Sequence, residues 1–184
     1  MIVAGIDPSL TSTGIALINT DTGSVELHTV KSKGLATDPV MTRWERLKKI
    51  SIEVRRIIYG SALVVIEGPS MASRHGSKHD RSGLWWMIVA HARAIDAAVT
   101  EVPPTVRAKY ATGKGNANKD DVLLAVDRRY GSLVRIGGND QADALVFAAM
   151  GARSLGYGIE DSLPKVNIAA MQTVVWPWVY EVEL

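Results

Sequence analysis

Four carboxylates in this chain stand where a carboxylate is costly. Asp7 ends the first apolar run, Ile2-Val-Ala-Gly-Ile-Asp7, and Glu67 ends another, Leu63-Val-Val-Ile-Glu67, while Asp140 and Asp143 open a helix-like segment. A carboxylate at the end of a buried strand is unfavourable unless a cation neutralises it. The chain has no cysteine and four histidines. The simplest neutraliser is therefore a hard divalent ion such as Mg²⁺, which takes oxygen ligands. The chemistry that follows first is metal-dependent reaction at a phosphate.

These residues need elements to position them. Residues 2–7, 13–19 and 25–31 read as strands, and Thr20-Asp-Thr-Gly23 is a turn signal that joins the last two as a hairpin. Asp38-Pro39 reads as an N-cap followed by proline in the first turn, opening an amphipathic helix with Trp44, Leu47, Ile50, Val54, Ile57 and Ile58 on its apolar side. Gly60 stops it. Residues 62–67 form a short continuous apolar run, the signature of a strand buried on both faces and parallel to the first. Residues 68–82 break every period and read as a long basic loop, followed by an Ala-rich helix over 83–98 and a strand over 99–102. Helices are then expected over 105–110, 119–130 (capped by Asn118) and 139–154. Residues 172–182 read as an extended arm interrupted by Pro177. The expected fold is α/β: a five-stranded mixed sheet, an antiparallel meander plus parallel strands, flanked by helices.

Alternation along a strand puts Asp7 on one face with Val3 and Gly5, and Glu67 with Leu63 and Val65. Asp140 and Asp143 share one face of their helix, near its N-terminus, where anions are favoured. Convergence of the three segments does not follow from spacing alone.

A formal net charge of +2 conceals a division along the chain. Residues 31–60 and 71–119 each carry a net +5, while the stretches holding the acidic residues are negative. A polyanion bound by the basic segments and a metal held by the acidic ones would account for this pattern; solvated helix faces are the plain alternative. The absence of cysteine excludes disulfides and thiolate-ligated zinc. The apolar runs fall far short of a membrane span, so a cytoplasmic protein with no membrane contact is expected.

Longer motifs make the comparison specific. Gly5-Ile-Asp7-Pro8-Ser9 with Thr13-Gly14, Val65-Ile-Glu67, Pro104-Thr-Val106-Arg107, Thr112-Gly-Lys-Gly-Asn-Ala-Asn-Lys119 with Val122, and Asp140-Gln-Ala-Asp143-Ala144 occur in order. In this the chain resembles the RuvC family of Holliday-junction resolvases, within the ribonuclease-H-like superfamily, and more loosely the phage-encoded RuvC-like endonucleases. The resemblance implies a homodimeric, Mg²⁺- or Mn²⁺-dependent endonuclease acting on branched DNA, chiefly four-way junctions, in a bacterial cell or encoded by a phage. It implies that Asp7, Glu67, Asp140 and Asp143 hold two ions per active site and that Lys119 lies near the scissile phosphate. Arg107 stands where the family usually has lysine and is assigned to phosphate contact. Met71 occupies the loop in which bacterial members place an aromatic, and Met71, Arg74, Lys78, Arg81, Arg107, Lys114 and Lys119 are the expected DNA contacts. Residues 1–155 form the expected nuclease domain, and 156–184 an extension packed on it or on a dimer partner.

Other readings remain open from the sequence: a RuvC-like nuclease acting on structured RNA, a non-catalytic junction-binding protein, or an actin-like phosphotransferase, for which the chain is too short. His75 and His79 are four apart in a loop without helical meaning, so solvation or phosphate contact outweighs zinc binding. Trp85, Trp86 and Met87 are expected in the core or a dimer interface. Trp176, Trp178 and Tyr180 are expected to cover the core or a partner in preference to stacking on bases.

Overall fold

The computed structural model describes residues 1–68 and 77–177. Five strands, β1 (Ile2–Asp7), β2 (Ser12–Asn19), β3 (Val25–Lys31), β4 (Ser61–Glu67) and β5 (Ala98–Val102), form one sheet in the order β3-β2-β1-β4-β5. β1 pairs antiparallel with β2, and β2 with β3, whereas β4 runs parallel to both β1 and β5. The expected mixed sheet is thus present. Its strand order places β1 and β4 side by side, with Ile6 opposite Ile66, so Asp7 and Glu67 end adjacent strands.

Each face of the sheet carries its own core. Ala4, Ile6, Ile15, Val64 and Ile66 pack with Leu47, Ile50 and Val54 of α1 (Val40–Ile57) and with Leu84, Ile88 and Ala92 of α2 (Lys78–Arg93). Val3, Ala16, Ile18, Leu63 and Val65 point to the opposite face. There they meet α3 (Pro104–Thr112), α4 (Lys119–Tyr130) and above all α5 (Asn139–Ser154), in which every residue from Ala142 to Ala152 is buried. Two-residue alternation therefore sends Asp7 and Glu67 to the α5 side.

Close approach of α5 depends on three glycines. A Cβ on Gly5 would lie 2.1 Å from the Ala144 carbonyl oxygen, and one on Gly14 would lie 2.0 Å from that of Asp140. Gly151 of α5 faces Val65 and Val3, whose methyl carbons would meet a Cβ at 2.6 and 2.7 Å. At Gly5 and Gly14 the helix backbone reaches the strands because they carry no side chain there, and at Gly151 the helix leaves room for the two valines.

Several elements differ from the sequence reading. α1 begins after Pro39, which takes the N-cap position; Asp38 instead accepts a hydrogen bond from the Leu35 N–H at 2.7 Å and closes the preceding turn. α2 begins at Lys78 and ends at Arg93, so the basic stretch is shorter than a 15-residue loop and Lys78 and Arg81 are helical. Its first turn is fixed by tertiary pairing. Arg43 of α1 donates to both carboxylate oxygens of the buried Asp80, with Nη2 to Oδ1 at 2.7 Å and Nε to Oδ2 at 2.9 Å.

Between the end of α5 and the expected arm, where the sequence signals no element, lie α6 (Lys165–Ile168) and a 3₁₀ turn (Ala169–Thr173) whose last two residues replace the start of that arm. The segment is pinned by a buried polar cluster. Glu160, whose side chain is 2% exposed, accepts from Tyr110 Oη at 2.8 Å and pairs with Arg153 Nη2 at 2.8 Å; Tyr130 Oη donates to it as well. Asn167 Nδ2 donates to the Tyr110 carbonyl at 2.7 Å, and Thr100 Oγ1 to that of Val175 at 2.7 Å. Residues 172–177 thus run along the core, covering it with Trp176, without forming a strand. Trp178 and Tyr180 lie outside the described residues.

Gly5→Ala should be destabilised by about 3 kcal/mol, the upper part of the range for overpacking, because the clash is with backbone. Urea unfolding measures this. A loss below about 0.5 kcal/mol would mean that α5 does not sit at this distance.

Candidate active site

The site is assembled from two strand ends and three helices. Asp7 and Glu67 project from β1 and β4 toward α5. Asp140 and Asp143 occupy the first and second turns of α5, and Gly14, opposite Asp7 in the β1–β2 ladder, lets the Asp140 backbone settle on the sheet. Arg107 comes from the first turn of α3, which opens at Pro104. Lys119 is the first residue of α4, whose N-terminus is capped by Asn118 Oδ1 accepting from the Asp121 N–H at 2.8 Å.

Three of the four carboxylates come together. Asp7 is buried and hydrogen-bonded to Glu67, and it also feels the negative charge of Asp143. Its carboxyl is held well above the usual carboxylate range, first by burial and then by Glu67. Asp143 is 3% exposed. Burial pushes its carboxyl up to about 6 against the pull of Arg107, with Glu67 and Asp140 adding to the rise and Lys119 opposing it. Asp140 lies one helical turn before Asp143, close enough for its charge to be felt there. Like charges this close stay together only if protons or cations compensate them.

The compensating cation within the chain is Arg107. Its guanidinium is buried, with Nη1 in close contact with Asp143 Oδ1 and Nη2 3.9 Å from Glu67 Oε1. The sequence assigned it to phosphate; the structure places it among the carboxylates, in a fork geometry that lysine could not reproduce. Lys119 is exposed beside them, near enough to lower the Asp143 carboxyl.

The donor set is oxygen throughout and suits a hard divalent cation. Among the described residues, however, no three acidic, histidine or cysteine side chains are gathered in an arrangement able to hold an ion. The guanidinium of Arg107 stands beside Asp143 and Glu67.

Of the expected DNA contacts, Lys78 and Arg81 are exposed on the first turn of α2, and Lys114 is exposed in the turn after α3. Met71 and Arg74 lie outside the described residues, as does His75; His79 is exposed on α2. Sequence reasoning missed one supporting residue. Trp85 Nε1 donates to the Glu67 carbonyl at 2.9 Å and so fixes the end of β4 from α2. The available signal was chemical: a partly buried indole N–H needs an acceptor.

The raised carboxyls have a consequence for stability. A group that binds its proton more tightly when folded stabilises the fold at low pH, and loses that contribution as pH rises through its folded value. In EDTA, unfolding free energy should therefore decline from about pH 4, the ordinary Asp value, through about 6 for Asp143, with the raised Asp7 carboxyl adding to the decline. Asp7→Asn should flatten the decline, and equal slopes in denaturation series of the two proteins would contradict this charge balance.

The chain matches the family described as Crossover junction endodeoxyribonuclease RuvC over residues 3–150. A protein of that description from Synechococcus sp. (strain CC9311) is 30% identical over 168 residues, covering 82% of this chain and 98% of its own. Another, from Prochlorococcus marinus (strain MIT 9313), is 29% identical over 155 residues, covering 82% and 97%. Among solved structures, T. thermophilus RuvC in complex with a Holliday junction substrate aligns with a TM-score of 0.66 at 21% identity, over 89% of this chain and 99% of that one. The structural likeness establishes the ribonuclease-H-like fold. With the match running through most of the chain and through all four carboxylates, the chain belongs to the RuvC family of crossover junction endodeoxyribonucleases.

Proposed function

We propose that this chain resolves four-way DNA junctions by hydrolysing one phosphodiester in each of two strands, working as a homodimer in the cytoplasm. Family membership carries the reaction class, since RuvC nucleases are divalent-metal-dependent endodeoxyribonucleases; structured RNA is the less favoured substrate for the same reason. The observation that supports a hydrolytic centre in this chain is the meeting of Asp7, Glu67 and Asp143 at the ends of β1 and β4. In this reading Asp7, Glu67, Asp140 and Asp143 hold two Mg²⁺ ions, or Mn²⁺ in their place. Such ions supply an acidified water and stabilise charge at the leaving oxygen.

The rest falls to the chain's own groups. Asp7 and Glu67 are oriented by the β1–β4 ladder, and Trp85 restrains the end of β4. Lys119, exposed at the start of α4, offers an ammonium to a phosphate lying over the carboxylates, where negative charge grows in the transition state. Lys78, Arg81 and Lys114 contact backbone phosphates farther out, and such contacts position DNA without reading its sequence. We assign Arg74 to the same phosphate contacts and Met71 to an apolar contact at the unstacked crossover. Residues 1–155 form the nuclease unit, and the chain from 156 on is assigned to an extension that packs on this domain or on a dimer partner. No helix among the described residues is long and apolar enough to cross a membrane.

A labelled four-way junction incubated with protein and Mg²⁺ should yield paired nicks on strands of like polarity. Asp7→Asn should abolish cleavage while leaving junction binding intact, and Lys119→Ala should slow single-turnover cleavage by about 10²-fold, the effect of losing one transition-state charge contact. Cleavage by Asp7→Asn at the normal rate would remove Asp7 from the reaction. Linear duplex cut as fast as the junction would remove the junction preference.

A further inference from the structure

We propose that Arg107 is the resident counter-cation of the carboxylate cluster, and that its guanidinium must release Asp143 before a divalent ion can be taken up. Metal affinity in the absence of DNA is then set by this arginine. The inference rests on the reading of the cluster as a metal-dependent nuclease centre.

Three observations carry it. First, the guanidinium occupies the space between two of the carboxylates. Nη1 contacts Asp143 Oδ1, and Nη2 approaches Glu67 Oε1 at 3.9 Å. An oxygen already engaged by a guanidinium at hydrogen-bond distance has that lone-pair direction blocked to an ion, and the two cations would repel. Second, Asp143, the carboxylate that Arg107 engages, is among the groups that hold an ion in this reading, so an ion taken up there must displace the guanidinium from it. Third, Arg107 is not fully satisfied where it lies. It is 7% exposed, yet its Nε is buried without a hydrogen-bond partner. An orphaned buried donor weakens the hold of its present position.

Residue type fits the role. A forked, permanently charged guanidinium can bridge two carboxylates, and the Phe147 ring, 6.0 Å from its central carbon, gives it an aromatic neighbour. A lysine at this point would offer one ammonium and could not engage both carboxylates in the same way. The chain thus keeps its acidic cluster compensated before metal arrives, and the exchange of one cation for another couples metal uptake to movement of Arg107.

Mn²⁺ titration of the DNA-free protein by isothermal calorimetry tests this, with Arg107→Gln, Arg107→Lys and Asp143→Asn measured beside the wild type and each checked by circular dichroism melting. Arg107→Gln, which removes the competing charge, should bind Mn²⁺ roughly tenfold more tightly, as expected for loss of one nearby like charge. Arg107→Lys should bind about threefold more tightly. Asp143→Asn should bind at least tenfold more weakly. If wild type, Arg107→Gln and Arg107→Lys bind equally well while Asp143→Asn binds weakly, the exchange is overturned and the metal-centre reading stands. If Asp143→Asn binds as the wild type does, or if no variant shows saturable Mn²⁺ binding, the metal-centre reading falls and the inference with it. Should Arg107→Gln fail to fold, Arg107→Lys decides: unchanged affinity overturns the exchange.

Discussion

The structure depends on how near α5 lies to the sheet. At Gly5 and Gly14 the helix backbone comes within a distance that no side chain could share, and Ala144, Ala148 and Ala149 keep the helix side of the contact slim. Close packing of this kind tolerates little volume change. One result is a rigid seat for Asp143, which is carried down to the level of Asp7 and Glu67. If larger residues stood at either glycine, the helix would ride higher and the third carboxylate would leave the cluster.

Bringing the carboxylates together creates an electrostatic problem that the surrounding residues resolve in parts. Asp7 shares a hydrogen bond with Glu67, Arg107 engages Asp143 and Glu67, and Lys119 adds positive charge from the surface. Burial strengthens both the repulsion and its remedies. Arg107 thus supplies positive charge to two of the carboxylates from within the chain. The carboxyls of Asp7 and Asp143 are raised first by burial, and Arg107 pulls both back down.

The outer parts of the molecule hold this arrangement from behind. On the far face of the sheet, Asp80 and Arg43 lock α2 to α1, and from α2 Trp85 reaches the end of β4. On the near face, Glu160 with Tyr110, Tyr130 and Arg153 ties residues after α5 to α3, α4 and α5. A buried polar cluster with every member engaged fixes geometry well. α3 and α4, which bring Arg107 and Lys119 to the site, are thus braced against the same helix that brings Asp143.

Local patterning was enough to place most of the elements. Apolar runs and turn signals give the strands ending at Asp7 and Glu67, Asn118 gives the start of α4, and helical spacing gives Asp140 and Asp143 a common face; the ordered motifs added the family. These features are legible because they depend on neighbours in sequence. The start of α2 was not, since its first turn is held by Arg43, 37 residues earlier, and neither was the segment after α5, whose anchors are Tyr110, Tyr130 and Thr100. Arg107 is the sharpest case. Its type and position suggested a cation for phosphate, but which anion it meets depends on α3 packing against α5, which itself lies over the central strands. By itself the sequence determined the carboxylates, their strand ends and their helix face, because each rests on local periodicity. Only the tertiary structure decided that Asp7, Glu67 and Asp143 meet and that an arginine stands among them, because distances between segments far apart in the chain are set by packing.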